Sequence, residues 1–279
     1  MRNLGTRLWS RHSDIGIYQR LKGSRLYDLY FGIRNKAVIE NRDAELVFYR
    51  SLLRSLPEGE RVYDIGANIG DKTDLFLRLG AQVVAVDPDP TNQAILQRRF
   101  LSYRLLKKSV TIVGKAVSDQ NAVQTMWVDE PGSAKNTLAS KWVSTLRSDT
   151  ERFGSTLSFA QERQVETITL EEMFRRHGKP FFIKIDVEGY EPNVLAGLRE
   201  PVPMLQFEVN LPEFVDEGVR CVQTLRELDA RSEFNFSRSL AGEGLALDAW
   251  IDADAMVALL RSRRERSIEV FCRTASARN

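Results

Sequence analysis

The sequence has few of the residues that support disulfide frameworks or thiol- and imidazole-based metal sites. Its 279 residues include two cysteines, Cys221 and Cys272, and two histidines, His12 and His177. The cysteines fall on a predicted helix and a predicted strand, where buried reduced thiols are favoured over a disulfide. His177 stands at a predicted helix end and is interpreted as a surface residue rather than a catalytic base. This composition excludes a small disulfide-stabilised fold and a metal-binding cysteine cluster.

Long apolar runs and a strong net charge are also absent. No run of about 18 apolar residues occurs, so the sequence predicts no membrane-spanning helix. The first residues include arginines but no apolar stretch before a small-residue cleavage site, so a secretory signal is not expected and a cytoplasmic protein is the default prediction. The formal net charge is +2, too near neutral to predict a polyanionic partner for the whole molecule.

A glycine-spaced turn between a predicted strand and a predicted helix is the most informative feature that is present. Residues 62–70, VYDIGANIG, begin with apolar and β-branched residues, as a buried parallel strand does. Residues 71–79 have the pattern of a helix, and Gly80 is placed to end it. Gly66 and Gly70 let the backbone turn sharply and let a ligand lie against it, while the helix N-terminus offers free N–H groups. The stretch predicts a nucleotide-binding corner.

Two acidic residues limit the class of ligand that this corner can bind. The spacing Gly66-x-Asn68-x-Gly70 does not meet the G-x-G-x-x-G pattern of dinucleotide sites. Asp64 at the strand end would repel a pyrophosphate and attract an ammonium group. Asp87 ends the next strand, about 20 residues after the turn, where an acidic group holds a ribose diol. S-adenosylmethionine carries both a ribose and a cationic tail. The alternative is a turn that merely connects a strand to a helix.

Three motifs resemble those of a known family. Residues 62–73 read VYDIGANIGDKT, residues 85–90 read AVDPDP and residues 181–198 read FFIKIDVEGYEPNVLAGL. Together they resemble the FkbM family of S-adenosylmethionine-dependent methyltransferases, over residues 45–273. Members often carry Glu-Pro where this chain has Asp87-Pro88, which keeps the carboxylate but shortens it by one methylene.

Strands and helices alternate along the chain, which predicts an α/β fold with a parallel sheet and helices on both faces. The resemblance implies a class I methyltransferase, Rossmann-like sheet of seven strands, mostly parallel, with one antiparallel strand near its edge. Ligands of such sheets lie beyond the carboxyl ends of the strands. The predicted cofactor-binding residues are Asp64, Gly66, Ala67, Asn68, Gly70, Thr73, Asp87, Pro88, Ala116, Val117, Ser118 and Asp186.

The chain divides into a helical N-terminal extension, residues 1–42, and a methyltransferase domain, residues 43–279. The extension is basic with interleaved aromatic residues. It is interpreted as packing on the core or on a second subunit in a homodimer, with a basic surface for an acidic substrate or a nucleic acid as alternatives. Residues 129–163 show no clear periodicity, which predicts either a lid or substrate loop or a mobile segment. Trp127 and Trp142 are candidate platforms for a sugar or polyketide, although packing in the core is favoured for Trp127.

Three carboxylates at strand ends, Asp186, Glu188 and Glu208, are the predicted catalytic residues. A hydroxyl acceptor is a weak nucleophile and gains from a base within hydrogen-bond reach. Asp186 is the predicted base or acceptor-positioning group, assisted by the other two. Two alternatives stay open: Asp186 and Glu188 satisfy backbone N–H groups at the next helix, or the three carboxylates hold a magnesium ion.

These residues and the resemblance predict an O-methyltransferase that uses S-adenosyl-L-methionine and acts on a hydroxyl of a small molecule, a sugar or glycan, or a polyketide. A nucleic-acid methyltransferase is disfavoured, because Asp186-Val187-Glu188-Gly189 replaces the Asn/Asp-Pro-Pro-aromatic motif of amino-group methyltransferases. A non-catalytic binding protein with a vestigial cofactor pocket is a third reading, against which the intact cofactor residues argue.

Overall fold

A computed structural model of the protein describes residues 36–105, 110–148, 157–240 and 243–277. Most of the predicted N-terminal extension lies outside the described residues. The strands are β1 Arg61–Ile65, β2 Gln82–Val86, β3 Val110–Val113, β4 Ala116–Val117, β5 Val123–Val128, β6 Gln161–Ile168, β7 Phe182–Ile185, β8 Met204–Asn210, β9 Glu233–Ser237 and β10 Ser267–Arg273. The helices are α1 Lys36–Leu52, α2 Asp71–Arg78, α3 Pro90–Arg99, α4 Leu101–Leu105, α5 Ser140–Ser148, α6 Leu170–His177, α7 Glu191–Ala196, α8 Val215–Leu228 and α9 Ala253–Ser262.

The main sheet has seven strands in the order β3-β2-β1-β7-β8-β10-β9. Every neighbouring pair is parallel except that β10 runs antiparallel to both β8 and β9. The predicted class I methyltransferase sheet, mostly parallel with one antiparallel strand near its edge, is thereby confirmed. Its strands β1, β2 and β7 are almost entirely buried, including the charged residues Asp64 of β1 and Lys184 of β7.

The register brings the predicted site residues to one edge of this sheet. Ile65 pairs with both Val86 and Ile185, and Ile185 pairs with Phe207. Each of these four residues immediately precedes a predicted site residue. Because parallel strands end at a common edge, Asp87, Gly66, Asp186 and Glu208 follow one another along it, in the strand order β2-β1-β7-β8.

The third strand differs from the prediction. The sequence predicts one third strand over residues 109–117, but the chain leaves the main sheet after Val113, and Ala116 and Val117 pair with β6 instead. A second sheet of three strands, in the order β4-β6-β5, results. Residues 114 and 115 separate the two strands, and Gly114 packs so closely on Gln93 that a Cβ there would lie 2.4 Å from its side-chain oxygen.

The described parts of the segment over residues 129–163, which are residues 129–148 and 157–163, are more ordered than the sequence pattern indicated. It contains helix α5, from which Trp142, Val143 and Leu146 are buried against Phe159 and Phe214. Trp142 has no exposed surface, so the suggestion that it forms a platform for a sugar or polyketide is wrong. The hydrophobic effect decides its position, because a fully buried tryptophan is not available to a substrate.

Helix α1 is part of the core of the domain. It begins at Lys36, so the predicted boundary at residue 42 falls within it. Its Tyr49 is fully buried and donates a 2.6 Å hydrogen bond from Oη to Gln206 Oε1 of β8. The tyrosine ring also meets Phe76 and Phe182 edge-on.

Two further predictions concern the cysteines and membrane spans. Cys221 and Cys272 are both buried and free, as predicted for reduced thiols. Within the described ranges, no helix has the length and apolarity needed to cross a membrane.

Candidate active site

A cavity lies beyond the carboxyl ends of β1, β2, β4 and β7, and we call it the strand-end cavity. It is lined by residues of the glycine corner, of β4 and of the loops after β2 and β7. The predicted site residues that line it are Gly66, Asn68, Asp87, Pro88, Ala116, Val117, Asp186 and Glu188. The loop after β1 and the loop after β7 therefore contribute to one site, as the sequence predicted for residues at strand ends.

The glycine corner is shaped by close backbone contacts. Gly66 has φ +76°, and a Cβ there would lie 1.8 Å from the carbonyl oxygen of Asp186. Glycine is therefore required for the first loop to pass the loop after β7. Gly70 instead faces the protein interior, where a Cβ would lie 2.5 Å from the Phe100 ring. Ala67 is buried, and its N–H donates to Val86 O.

Asp64 lies behind the cavity wall rather than on it. Its side chain has no exposed surface and accepts a 2.6 Å hydrogen bond from Thr73 Oγ1. The ammonium group of Lys184 is 3.5 Å from Asp64 Oδ1. Lys184 is therefore the cation that Asp64 faces, whereas the sequence suggested the ammonium group of a ligand.

Lys184 joins the glycine corner to the loop after β7. Its side chain is 4% exposed, and Nζ lies 3.1 Å from Asp186 Oδ2 and donates to Gly66 O at 3.2 Å. Burial acts against the charged form, but Asp186 and Asp64 outweigh it and raise the pKa of Lys184 above its usual value. Lys184 is therefore a buried cation that holds together the parts of the site on β1 and β7.

Asp87 lines the cavity and is held by three protein donors. Its carboxylate accepts from Asn68 N at 2.8 Å, Asp89 N at 2.9 Å and Asn92 Nδ2 at 3.2 Å. Burial raises the pKa of Asp87 to about 6, although these hydrogen bonds act in the opposite direction. An ionised carboxylate has roughly four acceptor positions, so about one remains for a ligand hydroxyl.

Residues 130–138 cover the cavity, and we call them the roof segment. On one side, Asp89 Oδ2 accepts from Gly132 N and from Asn136 Nδ2, each at 2.9 Å. On the other side, Thr137 Oγ1 donates to Glu188 O at 2.8 Å. Hydrogen bonds therefore hold the roof segment to the residues after β2 and to the loop after β7. For these residues, this favours a lid or substrate loop over a mobile segment.

The part of the cavity near β4 is mostly apolar, with the charged residue Lys115 beside it. Ala116 and Val117 line it together with Pro88, Met126 of β5 and Leu138 of the roof segment. A flat, mostly apolar group such as an adenine suits such a slot. Ser118, predicted to bind with its two neighbours, does not line the cavity.

Ser118 is turned into a polar network beside the cavity. It is fully buried, and its Oγ is 3.0 Å from Tyr190 Oη and 2.9 Å from Asp119 Oδ1. Tyr190 itself lines the cavity and donates to Gln124 Oε1 at 2.7 Å. Ser118 therefore positions Tyr190 rather than contacting a ligand in the cavity.

The three predicted catalytic carboxylates come together. One oxygen from each of Asp186, Glu188 and Glu208 lies within 4.8 Å of the other two. Burial, together with the charges of Asp186 and Glu188, raises the pKa of Glu208 well above its usual value. Asn210 Nδ2 donates to Glu208 Oε2 at 3.0 Å. A divalent cation could bridge such a set, and so could the proton of a hydroxyl group.

Backbone N–H groups in the loop after β7 are satisfied by a different residue. Glu191 is buried, and its Oε1 accepts from Val187 N at 3.0 Å and from Gly189 N at 3.4 Å. Burial raises the pKa of Glu191 to about 7. Glu191, rather than Asp186 or Glu188, therefore satisfies these backbone N–H groups.

A family model described as the methyltransferase FkbM domain matches residues 64–235, more than half of the chain. The chain belongs to the FkbM methyltransferase family. It is therefore a methyltransferase whose methyl donor is S-adenosylmethionine. Among curated proteins, no sequence matches this FkbM protein.

Solved structures similar to this FkbM protein are distant in sequence. A TehB-like SAM-dependent methyltransferase from Corynebacterium glutamicum has 9% identity and a TM-score of 0.43, with 93% of this chain and 99% of that chain covered. A precorrin-6y C5,15-methyltransferase from Geobacter metallireducens has 10% identity, a TM-score of 0.41 and coverages of 84% and 86%. The plantazolicin methyltransferase BpumL, solved with SAH, has 10% identity, a TM-score of 0.40 and coverages of 94% and 97%. Identities of this size carry no information about the acceptor.

The side chains that line the strand-end cavity fit S-adenosylmethionine. The apolar slot accommodates an adenine, and Asp87 keeps acceptor capacity for a ribose hydroxyl. Asn92 lines the cavity, is 2% exposed and has a buried Oδ1 with no hydrogen-bond donor among the described residues. Asp186 is 36% exposed beside Gly66, where it is available to a cationic tail. When bound, S-adenosylmethionine supplies an electrophilic methyl group.

Several residues of the site were not predicted from the sequence. Lys184 stood out as the one polar residue of an apolar strand, and such a residue signals a buried partner. Asp89 carried a weaker signal, because it precedes Pro90 at the position of a helix N-cap. Asn92, Met126 and the roof segment carried no local signal.

Proposed function

We propose that this protein transfers a methyl group from S-adenosylmethionine to a hydroxyl of a small molecule, a sugar or glycan, or a polyketide. The observation that carries the proposal is the convergence of Asp186, Glu188 and Glu208 within 4.8 Å at the carboxyl edge of the sheet. A hydroxyl oxygen must lose its proton as it forms the new bond to carbon, and a carboxylate in reach accepts that proton. The sulfonium is already activated, so the remaining task of the protein is to align the acceptor.

Asp186 is the member of the set that we assign as the base or acceptor-positioning group. It lines the cavity, is partly exposed and follows the central strand beside the glycine corner. Its carboxylate would accept the hydroxyl proton as the acceptor oxygen becomes methylated. Glu208 borders Asp186 from β8, and its raised pKa suits it to share that proton. Glu188 completes the set from the loop.

The charge of the site supports an uncharged or cationic acceptor over a nucleic acid. Three carboxylates placed together would repel phosphate groups at the position where the acceptor must bind. The ammonium group of Lys184 lies beside Asp186 but is buried, so it is not accessible to the phosphate groups of a nucleic acid.

The test is the variant Asp186→Asn, with Asp216→Asn, an exposed aspartate on helix α8, as the matched control. With labelled S-adenosylmethionine and a panel of hydroxylated acceptors, we expect Asp186→Asn to lower turnover about 100-fold or more, and the control to leave it unchanged. The melting temperature of each variant separates lost catalysis from lost folding.

Two outcomes would contradict the proposal. Near-normal turnover of folded Asp186→Asn would remove the assignment of the base and direct attention to Glu188 or Glu208. Salt-sensitive methylation of RNA or DNA, with no transfer to the hydroxylated panel, would replace the acceptor class.

A further inference from the structure

Thr137 of the roof segment uses all of its polar groups to join the second sheet to the loop after β7. Its backbone forms a bridge with Trp127 of β5, in which Thr137 N donates to Trp127 O at 3.1 Å and Trp127 N donates to Thr137 O at 2.7 Å. Its side chain is 1% exposed, and Oγ1 accepts from Ala139 N at 2.9 Å. The hydroxyl has one proton, and Glu188 O at 2.8 Å is closer to Oγ1 than Val187 O at 3.4 Å. Thr137 therefore donates to the carbonyl of Glu188 from a position that β5 fixes.

The backbone of Glu188 has a conformation that depends on its surroundings. Its φ is +55°, in the left-handed region that residues with a side chain rarely adopt. Such a conformation persists where surrounding contacts hold it. Glu191 accepts from the N–H groups on either side, those of Val187 and Gly189, while Thr137 donates to the carbonyl of Glu188 itself. The hydroxyl of Thr137 is thus one of the contacts that set the direction of the Glu188 side chain.

We propose that Thr137 is a positioning residue for methyl transfer, because its hydroxyl holds Glu188 in the conformation that brings its carboxylate to Asp186 and Glu208. One oxygen from each of these three carboxylates lies within 4.8 Å of the other two. Thr137 belongs to the roof segment, so the set of carboxylates is complete only while that segment lies over the strand-end cavity. Covering the cofactor and assembling the carboxylates are therefore coupled through this one side chain.

This inference rests on the proposed role of the three carboxylates in catalysis, and it gives Thr137 no contact with the acceptor. A displacement of about 1 Å at a reacting group can lower a rate about 100-fold, so a modest turn of Glu188 is enough to be measured. A purely structural role for Thr137 predicts a different result, in which stability falls while turnover per folded molecule is unchanged.

The experiment compares Thr137→Val, which keeps the shape of the side chain but removes the hydroxyl, with Thr137→Ser, which keeps the hydroxyl. The matched control is Thr167→Val on β6. Thr167 is 3% exposed, and its Oγ1 likewise donates to a carbonyl, Gln120 O at 2.7 Å, and accepts from a backbone N–H, Ala122 N at 3.0 Å. With labelled S-adenosylmethionine and whichever acceptor the wild type methylates, Thr137→Val should lower turnover per folded molecule about 10- to 100-fold. Thr137→Ser should restore most of this loss, and Thr167→Val should match the wild type.

A double-variant cycle with Glu188→Gln tests whether Thr137 acts through Glu188. Glu188→Gln should lower turnover by itself, and adding Thr137→Val to it should cause little further loss, because the carboxylate that Thr137 positions is already gone. A second measurement needs no acceptor. Hydrogen exchange at Gly189 should be faster in Thr137→Val than in Thr167→Val, because the loop after β7 has lost its contact with the roof segment.

Four results would overturn the assignment: turnover of Thr137→Val equal to that of Thr167→Val, no rescue by Thr137→Ser, wild-type turnover of Glu188→Gln, or losses from Thr137→Val and Glu188→Gln that multiply in the double variant. Failure of the proposed function would look different, because it would appear as near-normal turnover of Asp186→Asn or as transfer to nucleic acid by the wild type. Thr137→Ala serves as the second variant if Thr137→Val does not fold, and the same pattern is expected of it.

Discussion

Replacing Lys184 with methionine removes the buried cation between two carboxylates and changes the side-chain volume little. The lysine ammonium lies 3.1 Å from Asp186 Oδ2 and 3.5 Å from Asp64 Oδ1. Asp186 can turn to the cavity and remain solvated, but Asp64 has no exposed surface and keeps Thr73 as its hydrogen-bond donor. Removing one partner of a buried ion pair typically costs about 3–5 kcal/mol, because a buried charge is left uncompensated.

The free energy of unfolding, measured by urea denaturation, should therefore fall by about 3–5 kcal/mol in Lys184→Met. The matched control is Lys179→Met, which removes an ammonium group that pairs with Glu200 at 2.6 Å on the surface, where the side chains are 42% and 54% exposed. An exposed pair contributes about 1 kcal/mol at most, so the control should change little. At roughly 2–4 °C per kcal/mol, Lys184→Met should also melt about 6–20 °C lower.

The double variant Asp64→Asn/Lys184→Met isolates the cause of this loss. It removes the uncompensated charge, so it should be more stable than the sum of the two single variants predicts. The reasoning would be refuted if Lys184→Met lost no more stability than Lys179→Met. It would also be refuted if the losses of the two single variants simply added.

Three other predictions concern the cavity and the loop after β7. Burial raises the pKa of Asp87 to about 6, so S-adenosylhomocysteine should bind more weakly at about pH 5 than at about pH 8, and Asp87→Asn should remove this pH dependence in calorimetry. Asp89→Ala should release the roof segment, which would appear as faster hydrogen exchange at Gly132, whereas Glu130→Ala should leave that rate unchanged. Burial raises the pKa of Glu191 from 4.5 to about 7, so between these pH values the folded state binds more protons than the unfolded state. The free energy of unfolding should therefore fall as the pH rises through this range. Glu191→Gln should reduce that fall when urea denaturation is measured at about pH 5 and about pH 8.

The sheet and the glycine corner were predictable because their signals are local. Strand β1 is a short apolar run ending at Gly66, and β7 is a similar run ending at Asp186, so each strand and its turn is encoded within about ten residues. A parallel sheet then places the two ends at a common edge, whichever residues follow. The gathering of Asp186 and Glu208 follows from that rule.

The contacts that refine the site depend on residues far apart in the sequence. Lys184 lies 118 residues beyond Gly66, whose carbonyl it contacts, and Asp89 lies 43 residues before Gly132. Strand β4 has two residues, too few to show a period, and it exists because β6 pairs with it. Asp64 shows the consequence most clearly, because a carboxylate at a strand end looks the same in sequence whether its partner is a ligand or a lysine.

The hydrogen bonds that hold the roof segment to Asp89 and to Glu188 should affect how fast ligands dissociate. Gly132 and Asn136 are hydrogen-bonded to Asp89, two residues after Asp87, and Thr137 is hydrogen-bonded to the carbonyl of Glu188, two residues after the proposed base Asp186. We expect a cofactor bound beneath this segment to leave faster when one of these contacts opens. An acceptor that orders the loop around Glu188 should therefore lengthen the residence time of the cofactor. We expect the cofactor and the acceptor to dissociate in a preferred order, because the roof segment contacts the protein on both sides of the cavity.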